Sequence, residues 1–513
     1  MSQIKKGAFL NYITIFLINT VGLVMTPFIL KNLGKDQYGI YLTIGALIGT
    51  ISLLDFGLNN TIVRFVAKYK AEKDKKGEEN FLATTMLIYS MISLLVVIVG
   101  AIFYYGYFDS YFTKMSPEQI KIAKTMFVIL IFNLAISLPG GAFTGICSGY
   151  EQFVFPKTLK IIRYVLRSFT VVCVLLMGGE AIALVIVDTV FSVSAIAITA
   201  YYVFIKLKVK FKLHSFKKSF IKEILKYSVW IFVFALTGIF QWKAGHWVLG
   251  RISVPSILAI YGIGITLGSY YGAFSTAISS VFLPRATQMS VGNATGEQLT
   301  DMMIKIGRIS FIVLMYIFIA FTLYGYQFVY LWVGDELGRD GSLQCWIIAM
   351  MIMIAYTLPL VQNFGNSILE AKNKLSFKAI LYLSFMIIGT ILGAWLAKDY
   401  SAIGMISGSV IGWLIVQNVM NFYYHKVISL NILRFFKELA HKIIFTLILI
   451  SIMGYGITHI PGYGWSNFLL KSSLFTIIYG FLIYYLGMIE FEKNLIRNTI
   501  QSASTKIAKL WKA

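Results

Sequence analysis

Apolar residues along this chain gather into long unbroken stretches parted by short polar links. A segment apolar on every side for about 20 residues has the length an α-helix needs to cross hydrocarbon, and a water-soluble core does not require it. Fourteen such segments can be drawn: 8–30, 38–60, 81–106, 121–145, 161–177, 181–205, 227–249, 257–282, 307–331, 343–366, 378–396, 401–424, 443–458 and 468–488. The pattern predicts an all-α polytopic membrane protein of about fourteen transmembrane helices. Lys5 and Lys6 precede the first stretch as they would in a secretion signal. The run from Ala8 to Leu30 is longer than a signal core, and no small-x-small cleavage site follows it, so it reads as a retained first helix.

After residue 488 the pattern changes. Leu495, Ile496, Ile500, Ala503, Ile507 and Leu510 recur at mostly three- and four-residue steps, with Lys506, Lys509 and Lys512 on other faces. That periodicity predicts an amphipathic helix lying at the membrane surface.

Composition agrees: of 513 residues 58% are hydrophobic and 13% charged, about half the charge of an ordinary soluble domain. The net charge of +23 does not point to nucleic acid, because the basic residues sit in the links, where anionic lipid headgroups attract them. Roughly four in five of the Lys and Arg residues in the links fall on one side when alternate links are compared, which predicts that both termini are cytoplasmic. The segment Lys206-Leu-Lys-Val-Lys-Phe-Lys-Leu213, continued by Lys217, Lys218 and Lys222, reads as a linker lying on anionic headgroups between two halves. Cys147, Cys173 and Cys345 are far apart and match no disulfide or metal spacing.

The two halves share traces of sequence. Tyr38-Gly-Ile-Tyr-Leu-Thr-Ile-Gly45 and Tyr261-Gly-Ile-Gly-Ile-Thr-Leu-Gly268 agree in register, and Leu138-Pro139 and Leu358-Pro359 recur at a similar offset. An offset of six spans, an even number, gives both copies the same orientation, as in parallel-repeat transporters. The expected organisation is an N-terminal lobe over 1–210, a second six-helix lobe over 211–425 related to it by a parallel pseudo-twofold, two appended helices over 426–489 and the tail 490–513. Pro27, Pro139 and Pro359 inside spans predict kinks. The Gly-x-x-x-Gly pairs 141/145, 268/272, 389/393 and 404/408 predict close helix packing.

Charges inside the spans are the candidate chemistry, since a central Lys, Arg or Asp costs about 2.5–3.5 kcal/mol on insertion scales unless it meets water or a partner. They are Asp55, Arg167, Asp188, Lys243 and His246. Lys243 and His246, three apart, should share a helix face with Gln241 in one polar, aromatic patch, Gln241-Trp-Lys-Ala-Gly-His-Trp247. A basic cavity there suits an anionic group such as a pyrophosphate. Amides at Gln362, Asn363, Asn366, Gln417, Asn418 and Asn421 suit sugar hydroxyls, although amides also cross-link helices. No Walker loop, zinc-protease helix or nucleophile elbow occurs, and no cofactor or metal motif. The longest outside link, 107–120, is short for the catalytic domain that a membrane polymerase or ligase would need.

Pro27-Phe-Ile-Leu-Lys-Asn-Leu-Gly34, Tyr38-Gly-Ile-Tyr41, Leu54-Asp-Phe-Gly-Leu58, Arg64-Phe-Val-Ala67 and Gly145-Ile-Cys-Ser-Gly-Tyr-Glu-Gln-Phe153 resemble the Wzx-type polysaccharide flippases of the multidrug, oligosaccharidyl-lipid and polysaccharide (MOP) exporter superfamily. The resemblance implies two helical lobes about a cationic cavity and an undecaprenyl-pyrophosphate-linked oligosaccharide as substrate. It further implies delivery from the cytoplasmic to the outer leaflet of a bacterial cytoplasmic membrane, with H+ or Na+ or the membrane potential as driving force and other polysaccharide-assembly proteins as possible partners. The cationic role falls on Lys243 and Arg167, with His246 and Gln241 beside them and Asp55 and Asp188 as coupling or gating groups. The peptidoglycan-precursor flippases of the superfamily carry an arginine in their first helix, which is missing here. A drug exporter of the superfamily, which would more naturally show intramembrane carboxylates, is the alternative within transport.

Overall fold

Helix follows the apolar stretches throughout the computed structural model, which describes residues 3–55, 57–215, 232–292, 294–372, 374–498 and 501. In chain order these are α1 (Gln3–Ile51), α2 (Leu58–Glu72), α3 (Lys75–Ile102), the single turn α4 (Phe108–Tyr111), α5 (Pro117–Gly149), α6 (Val154–Leu176), α7 (Ala181–Tyr201) and α8 (Phe232–Trp242). They continue as α9 (Ala244–Ile252), α10 (Pro255–Val291), α11 (Gly296–Val361), α12 (Asn363–Ala371), α13 (Ser376–Ile428), α14 (Ile432–Ala440), α15 (Ile443–Thr458) and α16 (Gly464–Leu482). No strand occurs among the described residues.

Among the described residues, seven helical runs are long and apolar enough to cross a membrane, or eight if α14 and α15, bent by 42°, form one crossing. The difference from fourteen lies largely in continuity. α11 has 66 residues, which as a straight rod would be about 100 Å long, some three times the hydrocarbon thickness. α1, α11 and α13 each contain one residue whose backbone leaves the helix: Gly34 at φ 73° and ψ 164°, Gly338 at φ 70° and ψ −175°, and Ser401 at φ 50° and ψ −128°. Positive φ with ψ near 180° is open essentially to glycine alone. These breaks fall in or at the edge of the expected links, so each long helix holds two of the expected spans. The described part of 227–249 is carried by α8 and α9, and 161–177 by α6.

Side chains and proline set several helix ends and bends. Ser116 and Gln119 cap α5 reciprocally at 3.2 and 3.0 Å, with Pro117 in the first turn, and Thr295 and Gln298 do the same for α11. Pro139 removes the N–H that would have bonded the Ala135 carbonyl. The Ser93 hydroxyl donates to that carbonyl instead, at 2.8 Å.

The chain divides into two compact units, Met1–Ile265 with Ser376–Gly412, and Thr266–Leu375 with Trp413–Ala513. The first buries Phe81, Tyr89, Phe108, Phe112 and Phe127. Within it the glycine ridges of α13 close on each other: a Cβ on Gly408 would lie 2.2 Å from the Gly393 nitrogen and 2.3 Å from the Gly389 oxygen. The second unit packs Ile312, Ile319 and Tyr324 of α11 against Ile443, Leu447 and Ile450 of α15 and Phe475 and Tyr479 of α16. Outward faces stay apolar, with Phe169, Leu176, Phe445, Ile452, Ile477 and Phe481 exposed. Such a surface suits hydrocarbon, not water. The protein is a multi-pass membrane protein.

Past the last crossing, residues 490–498 are helical. Ile500, Ala503, Ile507 and Leu510 of the expected surface helix lie outside the described residues, as do Lys217, Lys218 and Lys222 of the linker. The described part of the linker folds back: the His214 and Ser215 N–H groups both donate to the Asn80 side-chain oxygen at 2.8 Å, and His214 Nε2 lies 3.0 Å from Glu79 Oε2. Phe211 packs on Phe143 and Phe204.

Candidate substrate site

Lys243 sits where helix fails. It follows α8 and caps α9, its own N–H still bonded to the Ile239 carbonyl at 2.7 Å and its carbonyl accepting from the His246 N–H at 3.0 Å. The side chain is exposed, and its Cε approaches α1 where Gly49 carries no side chain, 3.9 Å from the place a Cβ would occupy. No described residue makes a hydrogen bond or ion pair with its ammonium. On the same flank α8 presents Phe232, Ala235 and Ile239 to a cavity of about 330 Å³ whose other wall is Gly49, Ser52, Leu53, Asp55, Gly57 and Asn60. Lys243 stands one turn beyond Ile239, and both Ile239 and the Gly49 that its side chain approaches line this cavity.

The expected shared face of Lys243 and His246 is not kept. The break at Lys243 turns the ring of His246 inward, 6% exposed, edge-on to Tyr261 at 5.1 Å, while Lys243 stays open. His246 Nδ1 has no hydrogen-bond partner among the described residues. Gln241, half-buried, is on the last turn of α8.

Asp55 lines the cavity but is engaged. It accepts from the Tyr89 hydroxyl at 2.9 Å and from the N–H groups of Gly57 and Asn59, so it also caps the start of α2. Arg167 and Asp188 are brought together, at 2.5 Å from Nε to Oδ1 and 3.0 Å from Nη2 to Oδ2. The Tyr41 hydroxyl donates to Asp188 at 3.1 Å and lies 3.3 Å from Arg167 Nη2. This fork neutralises both charges. Sequence reasoning named the two ions separately and missed Tyr41, which joins them to the first copy of the repeated motif.

The two motif copies meet. A Cβ on Gly39 would fall 1.9 Å from the Pro255 oxygen, and one on Gly262 would fall 2.4 Å from Leu42. The same end of this unit is closed by the Tyr111 hydroxyl on the Trp247 carbonyl at 2.9 Å and by Gly250 against Thr43 and Phe112. The amides gather in the other unit. Gln362 and Gln417 are buried and hydrogen-bonded to each other, and the Tyr424 hydroxyl donates to Asn366 at 2.6 Å. Gln362, Gln417 and Asn366 cross-link helices there, while Asn418 is exposed.

The family model described as polysaccharide biosynthesis protein matches residues 4–290, more than half of the chain. The chain belongs to this family. Solved structures extend the likeness over the polysaccharide biosynthesis protein as a whole. It is similar to the lipid II flippase MurJ in an inward closed conformation, at a TM-score of 0.71 and 16% identity over 94% of this chain and 99% of that one. It is also similar to a multidrug resistance MATE family transporter of the MOP superfamily. The inward-facing form gives 0.62 at 15% identity over 81% of this chain and 94% of the transporter, and the outward-facing form 0.53 at 16% over 84% and 96%. Identities this low establish the fold, that of MOP transporters. No curated protein matches the chain.

Proposed function

We propose that this polysaccharide biosynthesis protein is a flippase. Its cargo is an undecaprenyl-pyrophosphate-linked oligosaccharide, moved from the cytoplasmic to the outer leaflet of a bacterial cytoplasmic membrane by alternating access coupled to H+, Na+ or the membrane potential. The observation that carries this is Lys243, an ammonium without a partner among the described residues, at a helix break and against Gly49 in the wall of a cavity. An uncompensated cation there is costly unless an anion arrives, and a diphosphate is such an anion.

In the expected lobe division α1 belongs to one lobe and α8 to α10 to the other. Their glycine contacts at Gly39, Gly250 and Gly262 then form the closed, outer end, and the cavity from Gly49 to Asp55 lies on the cytoplasmic side. Arg167 becomes the second cation by exchanging Asp188 for phosphate, which makes Asp188 the gating carboxylate. Asp55, already holding α2, and His246, already buried, follow the change of state; Gln241 flanks the diphosphate.

The test replaces Lys243 by Ala and by Arg in cells that make the surface polysaccharide. Loss of one charge-assisted contact of about 1.5–3 kcal/mol should cut export roughly tenfold or more in the Ala variant at matched protein level, with Arg restoring most of it. Normal export from Lys243→Ala removes the role.

A further inference from the structure

A second set of cations lies on α6. Lys157, Lys160, Arg163 and Arg167 follow one another at helical spacing along one side of that helix. Asp188 satisfies Arg167, and Lys157 is engaged elsewhere. Lys160 and Arg163 are exposed and make no hydrogen bond or ion pair with the described residues; Arg163 feels Asp188 only at a distance. Both line a groove of about 200 Å³ between α5, α6 and α7, where the exposed Thr144 supplies a hydroxyl and the buried Thr199, its own hydroxyl bonded to the Ala195 carbonyl, closes the wall. Below it, Ile162, Leu166 and Phe169 repeat at four and three residues on α6 and are 49%, 50% and 67% exposed.

Two neighbouring cations at the rim of a lipid-facing apolar ridge are an unbalanced arrangement. Each costs free energy in hydrocarbon unless a counter-anion is held there, and the ridge beneath fits chains, not water. We propose that the groove holds the phosphate of an anionic membrane lipid, with Lys160 and Arg163 as its cations, Thr144 as a hydroxyl donor and the lipid's chains laid along Ile162, Leu166 and Phe169. The site stands apart from Lys243 and does not depend on the cargo.

The full chain, purified in mild detergent, is titrated with phosphatidylglycerol and with phosphatidylcholine, and bound lipid is counted by native mass spectrometry. Phosphatidylglycerol should bind at least tenfold more tightly than phosphatidylcholine. Lys160→Gln with Arg163→Gln should abolish that preference, while Lys160→Arg with Arg163→Lys and, separately, Lys243→Gln keep it. An unchanged preference in the neutral double variant overturns the proposal. Equal competition by millimolar inorganic pyrophosphate also overturns it, because the chains would then contribute nothing. Should the neutral variant not purify, a photoreactive residue at Ala195, which lines the groove and is half-buried, must crosslink phosphatidylglycerol in preference to phosphatidylcholine in the otherwise native chain; equal labelling rejects the site. Loss of export by Lys243→Ala leaves all of these outcomes untouched, so the two ideas fail separately.

Discussion

Arg308 is the best-satisfied charge among the described residues, and its removal should be the most damaging single change in the second unit. Its side chain is 1% exposed and that of Glu492 is 3%. Nε donates to Glu492 Oε1 at 2.6 Å and Nη2 to Oε2 at 3.3 Å; Nη1 reaches the carbonyls of Glu438 and His441 at 2.7 and 3.0 Å, and Nη2 that of Gly487 at 3.1 Å. One guanidinium thus ties α11 to the end of α14, to the last turn after α16 and to the helix at 490–498. Arg308→Ala leaves Glu492 buried with one remaining donor among the described residues, the Ile489 N–H at 2.8 Å, and three carbonyls without their partner. Breaking a buried pair from one side costs about 3–5 kcal/mol. Glu492→Gln leaves one acceptor oxygen for the guanidinium and replaces the other by an NH2 that cannot accept, so about 1–3 kcal/mol is expected from it. The measurements are the thermal midpoint in detergent and the rate at which protease removes the chain beyond residue 489. Arg308→Ala should lower the midpoint by several degrees and speed removal of the tail, and Glu492→Gln should do both less. A wild-type midpoint with a protected tail in Arg308→Ala, or equal losses in the two variants, would refute the reasoning.

Other outcomes follow from single contacts. Arg167 and Asp188 have side chains 19% and 27% exposed, between the surface and buried limits, so Arg167→Gln should cost roughly 1–3 kcal/mol. Much of that should return in the double variant with Asp188→Asn, read from the thermal midpoints of the four-member cycle. Gly408→Ala pushes a methyl into two backbone atoms of Gly389 and Gly393, a clash of the kind that costs at least about 1–3 kcal/mol. Gly141→Ala meets nothing within 4 Å and should be tolerated; yields of folded protein by size exclusion separate the two. Asn80→Ala removes the acceptor that holds both His214 and Ser215, and trypsin should then cut at Lys206–Lys212 faster than in the parent chain.

The fold was legible because one signal, apolar length, acts locally. Gly34 and Gly338 sit where polar links were expected, and a backbone reversal without a Cβ is something a glycine announces in the chain itself. Ser401 announces nothing of the kind, and its positive φ has no signal in the sequence. The pairings of the candidate charges were not legible. Arg167 and Asp188 lie 21 positions apart and Arg308 and Glu492 lie 184 apart; a charge at the edge of a span looks the same whether it meets headgroups, water or a carboxylate. His246 shows the limit of helical spacing, since one unwound residue at Lys243 is enough to send a neighbour three positions away to the opposite environment.

Pairing therefore sorts these cations better than depth does. Arg308 has all its donors filled by protein and holds helices together, so nothing is left in it for a ligand. Arg167 is filled by one carboxylate and one hydroxyl, an exchangeable arrangement because a phosphate offers the same oxygen geometry to the same fork. Lys243 and the Lys160 and Arg163 pair have nothing bonded to them among the described residues, and a bare cation in an apolar bundle persists only where binding compensates its cost. Stability loss on neutralisation should accordingly fall in the order Arg308, Arg167, Lys243, while loss of export at equal protein level rises along the same order. Midpoints and export measured on Arg308→Gln, Arg167→Gln and Lys243→Gln give both rankings at once. Two parallel rankings would mean that export merely tracks folding, and the distinction between structural and substrate-binding charge would then have no basis.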